Sequence, residues 1–409
     1  MEGYTKKPAV KEAMSHINII KNGSIFIENG KIVETGPEEK IRQKYQAHLQ
    51  SAKHIDATGK VVVPGLVDPH THLVHAGTRE NEYAMRLTGR SYMDIMKSGG
   101  GIHATTRATQ QASLKQLYDE SEERLNQFLL HGVTTVEAKS GYGLTLEHEL
   151  KQLEVAKQLD KDHPFDLVST FMGAHAVPMD EKDNPDRFVK RVIEEMLPEV
   201  AKKKLAVFND VFCERGVFTP EQSRRILEAG KEYGLTPKIH ADEIEPYEGA
   251  ELAAEVGAIS ADHLLKASEQ GIKKMAEAGV IGVLLPGTAF FLMAEFAEAR
   301  KMIDAGVAIA LSTDANPGSS PTISLPFMMN LGCLKMGMTP EEVLTATTIN
   351  AAHAIGCAES IGSLEPGKKA DVTIFKVPNY LTLSYKYGIN HVDTVVKAGV
   401  PVVEGGQLK

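Results

Sequence analysis

From about residue 60 onward, short apolar, β-branched runs alternate with longer stretches whose apolar positions recur at helical spacing. The runs VVVPGLVDPHTH, TTVEAK, DLVSTFMGA, LAVFNDVF, LTPKIHAD, AISADHL, VIGVLLPG and VAIALSTD read as strands. Between them, segments such as LKQLYDESEERLNQFLLHG, LTLEHELKQLEVAKQLD and TPEQSRRILEAGKEYG read as amphipathic helices. The last of these opens with Thr219 as cap, Pro220 at the first helical position and Glu221 in the first turn, and it stops at Gly234. The strands are continuously apolar, which fits a parallel sheet covered on both faces. Eight strand–helix pairs predict an α/β fold, a (β/α)8 barrel of the TIM type over residues 64–357, with a doubly wound open sheet as the rival. His, Asp and Glu gather at the C-terminal ends of several strands, where a barrel builds its site, and this favours the barrel.

The chain ends follow another rhythm. Period-two alternation and Asn-Gly pairs in INIIKNGSIFIENGKIVETG and HIDATGKVVVPG predict β-hairpins, as do GSLEPGKKADVTIF and VDTVVKAGVPVVEGGQLK near the C-terminus. Residues 1–63 and 358–409 are therefore expected to build one small β-sandwich-like domain from both ends. The opening MEGYTKKPAVKEAMSH does not read as a strand.

Composition narrows the class of function. The 409 residues carry 45 Lys+Arg against 54 Asp+Glu, a net charge of -9, and are 42% hydrophobic, which excludes a disordered chain. The acidic balance without a basic stripe argues against nucleic acid. No apolar run approaches the ~18–20 residues of a membrane span. The N-terminus lacks a continuous apolar segment of the secretory kind. Cys213, Cys333 and Cys357 are odd in number and widely spaced, which suits a reducing compartment. These features predict a soluble, cytoplasmic protein with a large core.

His70 and His72 close the first barrel strand. Positions i and i+2 share a face, so both imidazoles can address one ion. Asp68 precedes them as a candidate hydrogen-bonding partner of a ligand. His240 ends the fifth strand, His263 the sixth and Asp314 the eighth. Each alone is as readily a hydrogen-bonded core histidine or a helix-capping aspartate. Together, four imidazoles and a carboxylate at the ends of strands one, five, six and eight predict a divalent metal site. Such donors suit Zn²⁺ or Fe²⁺, and a catalytic ion keeps one position for water.

PGLVDPHTH, the single histidines of strands five and six, the strand-eight aspartate and the tail GSLEPGKKADVTIF resemble the metal-dependent amidohydrolase superfamily. Within it, GGGIHATTRAT, VEAKSGYGL, STFMGAHAVP, IHADE and TDANPGSSPT are similar to the imidazolonepropionase family of histidine breakdown. The resemblance covers roughly residue 28 to the C-terminus. It implies one metal ion per chain, zinc or iron (Fe²⁺/Fe³⁺), held by His70, His72, His240 and Asp314. Two-metal relatives bridge their ions with a carboxylated lysine at the end of strand four. Here Lys202, Lys203 and Lys204 all precede that strand, and Lys139 ends strand two.

The implied reaction is hydrolysis of a cyclic amide, 4-imidazolone-5-propanoate, to N-formimidoyl-L-glutamate, in a homodimeric enzyme. A related deaminase of a purine- or cytosine-like ring is the alternative; a catalytically dead scaffold would have lost the ligands or the base. The chemistry asks for activated water, a base, an acid and donors to the oxyanion. Glu243 is the candidate base, set on the turn beyond strand five. His263 is placed to orient water or stabilise the oxyanion, and Asp314 counts among the catalytic residues as well as the ligands. His175 is expected to donate to the substrate carbonyl, and Tyr142, between glycines, to touch the ligand. Arg79 can hold the propionate through two parallel hydrogen bonds, unless it is a surface arginine paired with Glu80 or Glu82. Asn316, Gly318 and Ser319 are expected to offer backbone N–H groups to the same carboxylate.

Overall fold

The computed structural model describes residues 3–90 and 100–409. The chain opens on a 3-10 turn, Lys11–Ser15, with Ala9 and Met14 buried. The Asn350 side chain accepts the Ala9 N–H at 2.8 Å, donates to the Ala9 carbonyl at 2.9 Å and donates to the Ile309 carbonyl at 3.0 Å. The leading segment is thereby fastened to the barrel rather than to a sheet.

Strands β1 (Gly23–Glu28) and β2 (Lys31–Pro37) form an antiparallel hairpin closed by the pair Glu28–Lys31. Asn29 (φ 52°) and Gly30 (φ 75°) both take the positive φ that a two-residue hairpin turn of this twist requires. The run VVVPGLVDPHTH, read above as one strand, is two. β3 (Val61–Pro64) joins the small sheet and β4 (Leu66–Thr71) enters the barrel. The break falls at Gly65, where a Cβ would lie 2.3 Å from Thr134 Oγ1, so only glycine lets the chain pass between the two sheets.

Seven further strands complete the barrel: β5 (Val133–Lys139), β6 (Asp166–Ala174), β7 (Phe208–Cys213), β8 (Thr236–Ala241), β9 (Ser260–His263), β10 (Ile281–Leu284) and β11 (Ile309–Leu311). Neighbours pair in parallel in the order β4 to β11. The seam between β11 and β4 is closed by a Thr71–Ala315 bridge and by the His72 N–H donating to the Ala315 carbonyl at 3.0 Å. Asp68 works on this seam. It accepts from the Thr313 N–H (3.2 Å) and hydroxyl (2.7 Å) and from the Ser312 hydroxyl. The expectation that Asp68 orients a metal-binding imidazole is therefore corrected: it knits strand one to strand eight, because its side chain points across the seam.

Helices cover the outer face. Phe128, Phe165, Phe171, Phe188 and Phe218 are fully buried between helices and strands. Thr219 caps Pro220–Glu232 in a capping box with Gln222. Beyond the barrel, β12 (Val372–Phe375), β13 (Val392–Lys397), β14 (Val400–Glu404) and β15 (Gln407–Leu408) form a five-stranded antiparallel sheet with β3 at its edge. The β1–β2 hairpin joins this assembly through Ile32 N–H to the Lys368 carbonyl (2.9 Å) and Gly367 N–H to the Ile32 carbonyl (2.7 Å). Asp166, at the foot of β6, receives Lys369 (2.8 Å) and Lys397 (2.7 Å) from the terminal region and pins it to the barrel. Among the described residues, no helix is long and apolar enough to cross a membrane.

Candidate active site

The C-terminal ends of the barrel strands bring the predicted donors together. The donor atoms of His70, His72 and Asp314 lie within 4.8 Å of one another, as do those of His70, His240 and His263. Asp314 Oδ1 is 3.4 Å from His70 Nε2 and 3.7 Å from His72 Nε2. All of these groups are buried. Asp314 (φ 51°) and His263 (φ 75°) both sit in the left-handed region. That conformation costs a non-glycine residue on the order of 1 kcal/mol, and here it accompanies the turn of each side chain from the strand end into the mouth.

A divalent cation fits this donor set. Nδ1 of His70 donates to Asp262 Oδ2 at 2.7 Å and Nδ1 of His240 to Asp210 Oδ1 at 3.1 Å. Each ring therefore carries its proton on Nδ1 and a lone pair on Nε2. Both Nε2 atoms are buried without a hydrogen-bond partner among the described residues. Such nitrogens are costly to leave bare and suited to a metal. Burial holds His70 and His72 far below the usual imidazole range, and the neighbouring cationic or imidazole groups push the same way, so both stay neutral and ligand-ready.

Beneath the imidazoles lies a buried charge network the sequence reading did not foresee. Lys139 Nζ sits 2.6 Å from Asp210, 2.9 Å from Glu137 and 3.3 Å from Asp262, and Lys238 Nζ 3.2 Å from Glu137. Burial alone would lower the Lys139 pKa, but the carboxylates of Asp210, Glu137 and Asp262 outweigh it and keep the ammonium charged. Lys139 thus fixes the two carboxylates that fix the two imidazoles. The acid pair Asp210 and Asp262, with His240, offers a further cluster of metal-type donors, but the Lys139 ammonium is already the cation between those carboxylates.

Glu243 lies two residues past the end of β8, on the turn foreseen for it. Its Oε2 is 3.6 Å from His263 Nε2. Burial, then Asp314 and then Glu214 push its pKa up to about 8. Two carboxylates absent from the sequence reading hold this turn. Asp242 accepts the N–H groups of Tyr247 (2.7 Å), Gly249 (3.2 Å) and Ala250 (2.9 Å), and Glu214 accepts that of Ile244 at 2.9 Å.

His175 stacks on His72, centroids 4.6 Å apart and planes 6° apart, with Tyr142 packed 5.3 Å away. Its Nδ1 lies 3.1 Å from the Gly141 carbonyl, which can only accept. Burial, seconded by His240, brings its pKa down to about 3, so the ring is neutral with a lone pair on Nε2. In this tautomer Nε2 presents an acceptor, whereas the donation expected from His175 to a substrate carbonyl needs a proton on that nitrogen. The glycines around Tyr142 also serve packing. A Cβ at Gly141 would meet His175 at 2.8 Å, and one at Gly143 would meet the backbone of the helix Leu146–Asp162 at 2.4 Å. Glu149 of that helix receives the N–H groups of Gly141, Gly143 and Leu144, and Gln152 that of Tyr142, fixing the loop. His75, buried and donating from Nδ1 to the His72 carbonyl at 2.8 Å, packs 6.1 Å from Tyr142.

Arg79 reaches the turn that follows Asp314, with its Nε donating to Glu82 at 3.0 Å. The pairing with Glu82 foreseen for a surface arginine is present, yet the side chain is only 17% exposed. The Gly318 and Ser319 N–H groups both donate to Asn316 Oδ1 at 2.8 Å. Those donors are thus engaged within the turn itself, contrary to the expectation that they stand free for an anion.

A (β/α)8 barrel with four imidazoles and an aspartate at its mouth defines a class, and the chain belongs to it: residues 61–402 match the model of the amidohydrolase family. Solved structures share the fold, among them a zinc-bound adenosine deaminase from Xanthomonas campestris (TM-score 0.69, 18% identity, 96% of this chain and 91% of that one). E. coli guanine deaminase is another (TM-score 0.69, 16% identity, 98% and 96%). Within the family the chain falls among the imidazolonepropionases. It is 69% identical to the imidazolonepropionase of Brevibacillus brevis over 408 residues, covering 100% of this chain and 96% of that one. It is 66% identical to that of Geobacillus kaustophilus over the same span.

Proposed function

We propose that the chain is an imidazolonepropionase, hydrolysing the ring C–N bond of 4-imidazolone-5-propanoate to give N-formimidoyl-L-glutamate. The observation that carries this reading is Arg79. A buried-rim guanidinium beside the metal-type site answers a carboxylate tail, which the neutral ring of a deaminase substrate does not have. A single Zn²⁺ or Fe²⁺ ion held by His70, His72, His240 and Asp314 supplies Lewis acidity and a lowered pKa for water. The single-ion reading is supported by the Lys139 ammonium between Asp210 and Asp262.

The chain's own groups account for the rest. Water adds its oxygen to the ring carbonyl carbon while Glu243 takes one of its protons. The C–N bond then breaks, and Glu243 returns that proton to the leaving ring nitrogen. His263, next to Glu243, orients the water and the oxyanion. His175 Nε2 accepts from a ring N–H, Tyr142 packs on the ring, and Arg79 holds the propionate at the turn formed by Asn316, Gly318 and Ser319. The enzyme acts in the cytoplasm, a reading supported by three free cysteines, and as a homodimer. The apolar side chains of Leu381, Tyr385, Tyr387 and Ile389 are exposed within one segment, which supports the homodimer reading. Light scattering of Tyr385→Lys would show a monomer.

The test of function is turnover of 4-imidazolone-5-propanoate with and without chelator, with metal content measured alongside. Chelator-sensitive formimidoylglutamate at about one ion per chain is expected. Bound metal without turnover would refute the substrate and favour a deaminase.

A further inference from the structure

The carboxylate-binding role of Arg79 leaves open what holds its guanidinium in place. Two features flank it. On one side, Glu82 is bifunctional: Oε2 accepts from Arg79 Nε at 3.0 Å, and Oε1 accepts from the Gly101 N–H at 3.0 Å. Glu82 therefore ties the arginine to the start of the helix Ile102–Gln111, which carries the GIHATTRAT motif. On the other side the guanidinium lies flat against bare Gly318. A Cβ there would fall 2.0 Å from Arg79 Nη1, 2.7 Å from Cζ and 3.3 Å from Nη2. No other side chain leaves that space. Gly318 lies outside the positive-φ region, so its φ does not by itself demand glycine. The requirement for glycine here is the arginine itself.

We propose that Glu82 and Gly318 are positioning residues that clamp Arg79 so that it meets the substrate carboxylate only end-on. With Nε committed to Glu82, the side-on pairing through Nε and one Nη is closed. The fork formed by Nη1 and Nη2 remains, and it matches the two oxygens of one carboxylate. The clamp selects ligands with a carboxylate at a fixed distance from the ring, and it rests on the imidazolonepropionase reading for the identity of that ligand.

The experiment measures KM and kcat for 4-imidazolone-5-propanoate in the metal-loaded wild type, Gly318→Ala, Glu82→Ala, Glu82→Gln and Arg79→Ala. Alongside, calorimetry gives the affinity for 3-(imidazol-4-yl)propanoate relative to 4-methylimidazole, which lacks the tail. The atom that clashes in Gly318→Ala is the end of a long flexible side chain, so the variant folds and the arginine yields. Gly318→Ala and Glu82→Ala are expected to cut the preference for the tailed ligand by about tenfold or more, approaching Arg79→Ala, with the loss in KM exceeding that in kcat. Glu82→Gln, which keeps one acceptor, is expected to fall between. Unchanged preference in both clamp variants, with Arg79→Ala abolishing it, would overturn the proposal. So would an intact preference in Arg79→Ala. Wild-type protein that prefers the tailed ligand yet does not turn over imidazolonepropanoate would instead overturn the assigned reaction and leave the clamp standing.

Discussion

Lys139→Met removes the ammonium at the centre of the barrel while keeping the side chain's length and stem. Lys139, Glu137, Asp210 and Asp262 have side chains with no solvent exposure, and the three contacts run from 2.6 to 3.3 Å. At an effective dielectric of about 20, each attraction at such distances is on the order of 5 kcal/mol. Desolvating the ammonium offsets most of the sum, and removing one partner of a buried pair costs a net ~3–5 kcal/mol, because the carboxylates left behind stay buried. Two lysines serve three carboxylates in the wild type, and the variant leaves Lys238 alone among them. Unfolding entropy is about 2.1 cal/mol/K per residue, so a chain of 409 residues changes by roughly 0.9 kcal/mol per degree near its midpoint. The expected fall in Tm is therefore about 4–6 °C. Differential scanning calorimetry at one scan rate, with chelator present in both samples, isolates this from metal binding. A fall of less than ~1 °C would refute the claim that the network is held by this ammonium.

Asp262→Asn should weaken metal binding by ~10–100-fold, since the Nδ1–H of His70 loses its charged acceptor; competition with a chromophoric chelator reads this, and unchanged affinity would discount the contact. Asp166→Asn tests the tie between barrel and terminal sheet. Burial raises the Asp166 pKa, but Lys397 and Lys369 overcome it and hold it below the usual carboxylate value of 3.8. A depressed carboxylate stabilises the fold above its unfolded pKa and loses that contribution as pH falls through the folded one. The stability gap between wild type and variant in urea should thus be constant above ~pH 5 and close in acid; a gap that widened on acidification would reverse the sign. Burial pushes the Cys213 thiol up to about 12, so at pH 8 it should resist a thiol reagent until the chain unfolds. Prompt labelling at Cys213, located by peptide mapping, would contradict its burial.

Much of the site was legible because its spacing is local or tied to strand ends. His70 and His72 share a face by strand geometry. His240, His263 and Asp314 stood out because each follows an apolar run at the point where a barrel strand empties into its mouth. The hairpin at Asn29–Gly30 and the cap at Thr219 followed from backbone chemistry within a few residues. What was misread depended on partners. Asp68 sits beside the ligands in sequence, but its oxygens meet Ser312 and Thr313 across the seam. The packing role of Gly141 and Gly143, which leave room for His175 and a helix, was likewise invisible without those partners. The N–H groups of Gly318 and Ser319 were read as free and are bound by the Asn316 side chain.

By itself the sequence determined the barrel, the composite sheet, the donor residues and the turn that carries Glu243, because periodicity and strand-end position are properties of short segments. Tertiary structure alone decided how those donors are poised. The proton of His70 is placed by Asp262, 192 residues away, and that of His240 by Asp210, 30 residues away. Lys139 binds both carboxylates from a third strand. Which nitrogen of a ring is bare, and which guanidinium edge is open, are set by groups that meet only when eight strands close. A hydrogen bond between residues far apart in the chain depends on distance in space and carries no trace in the spacing of the residues that make it.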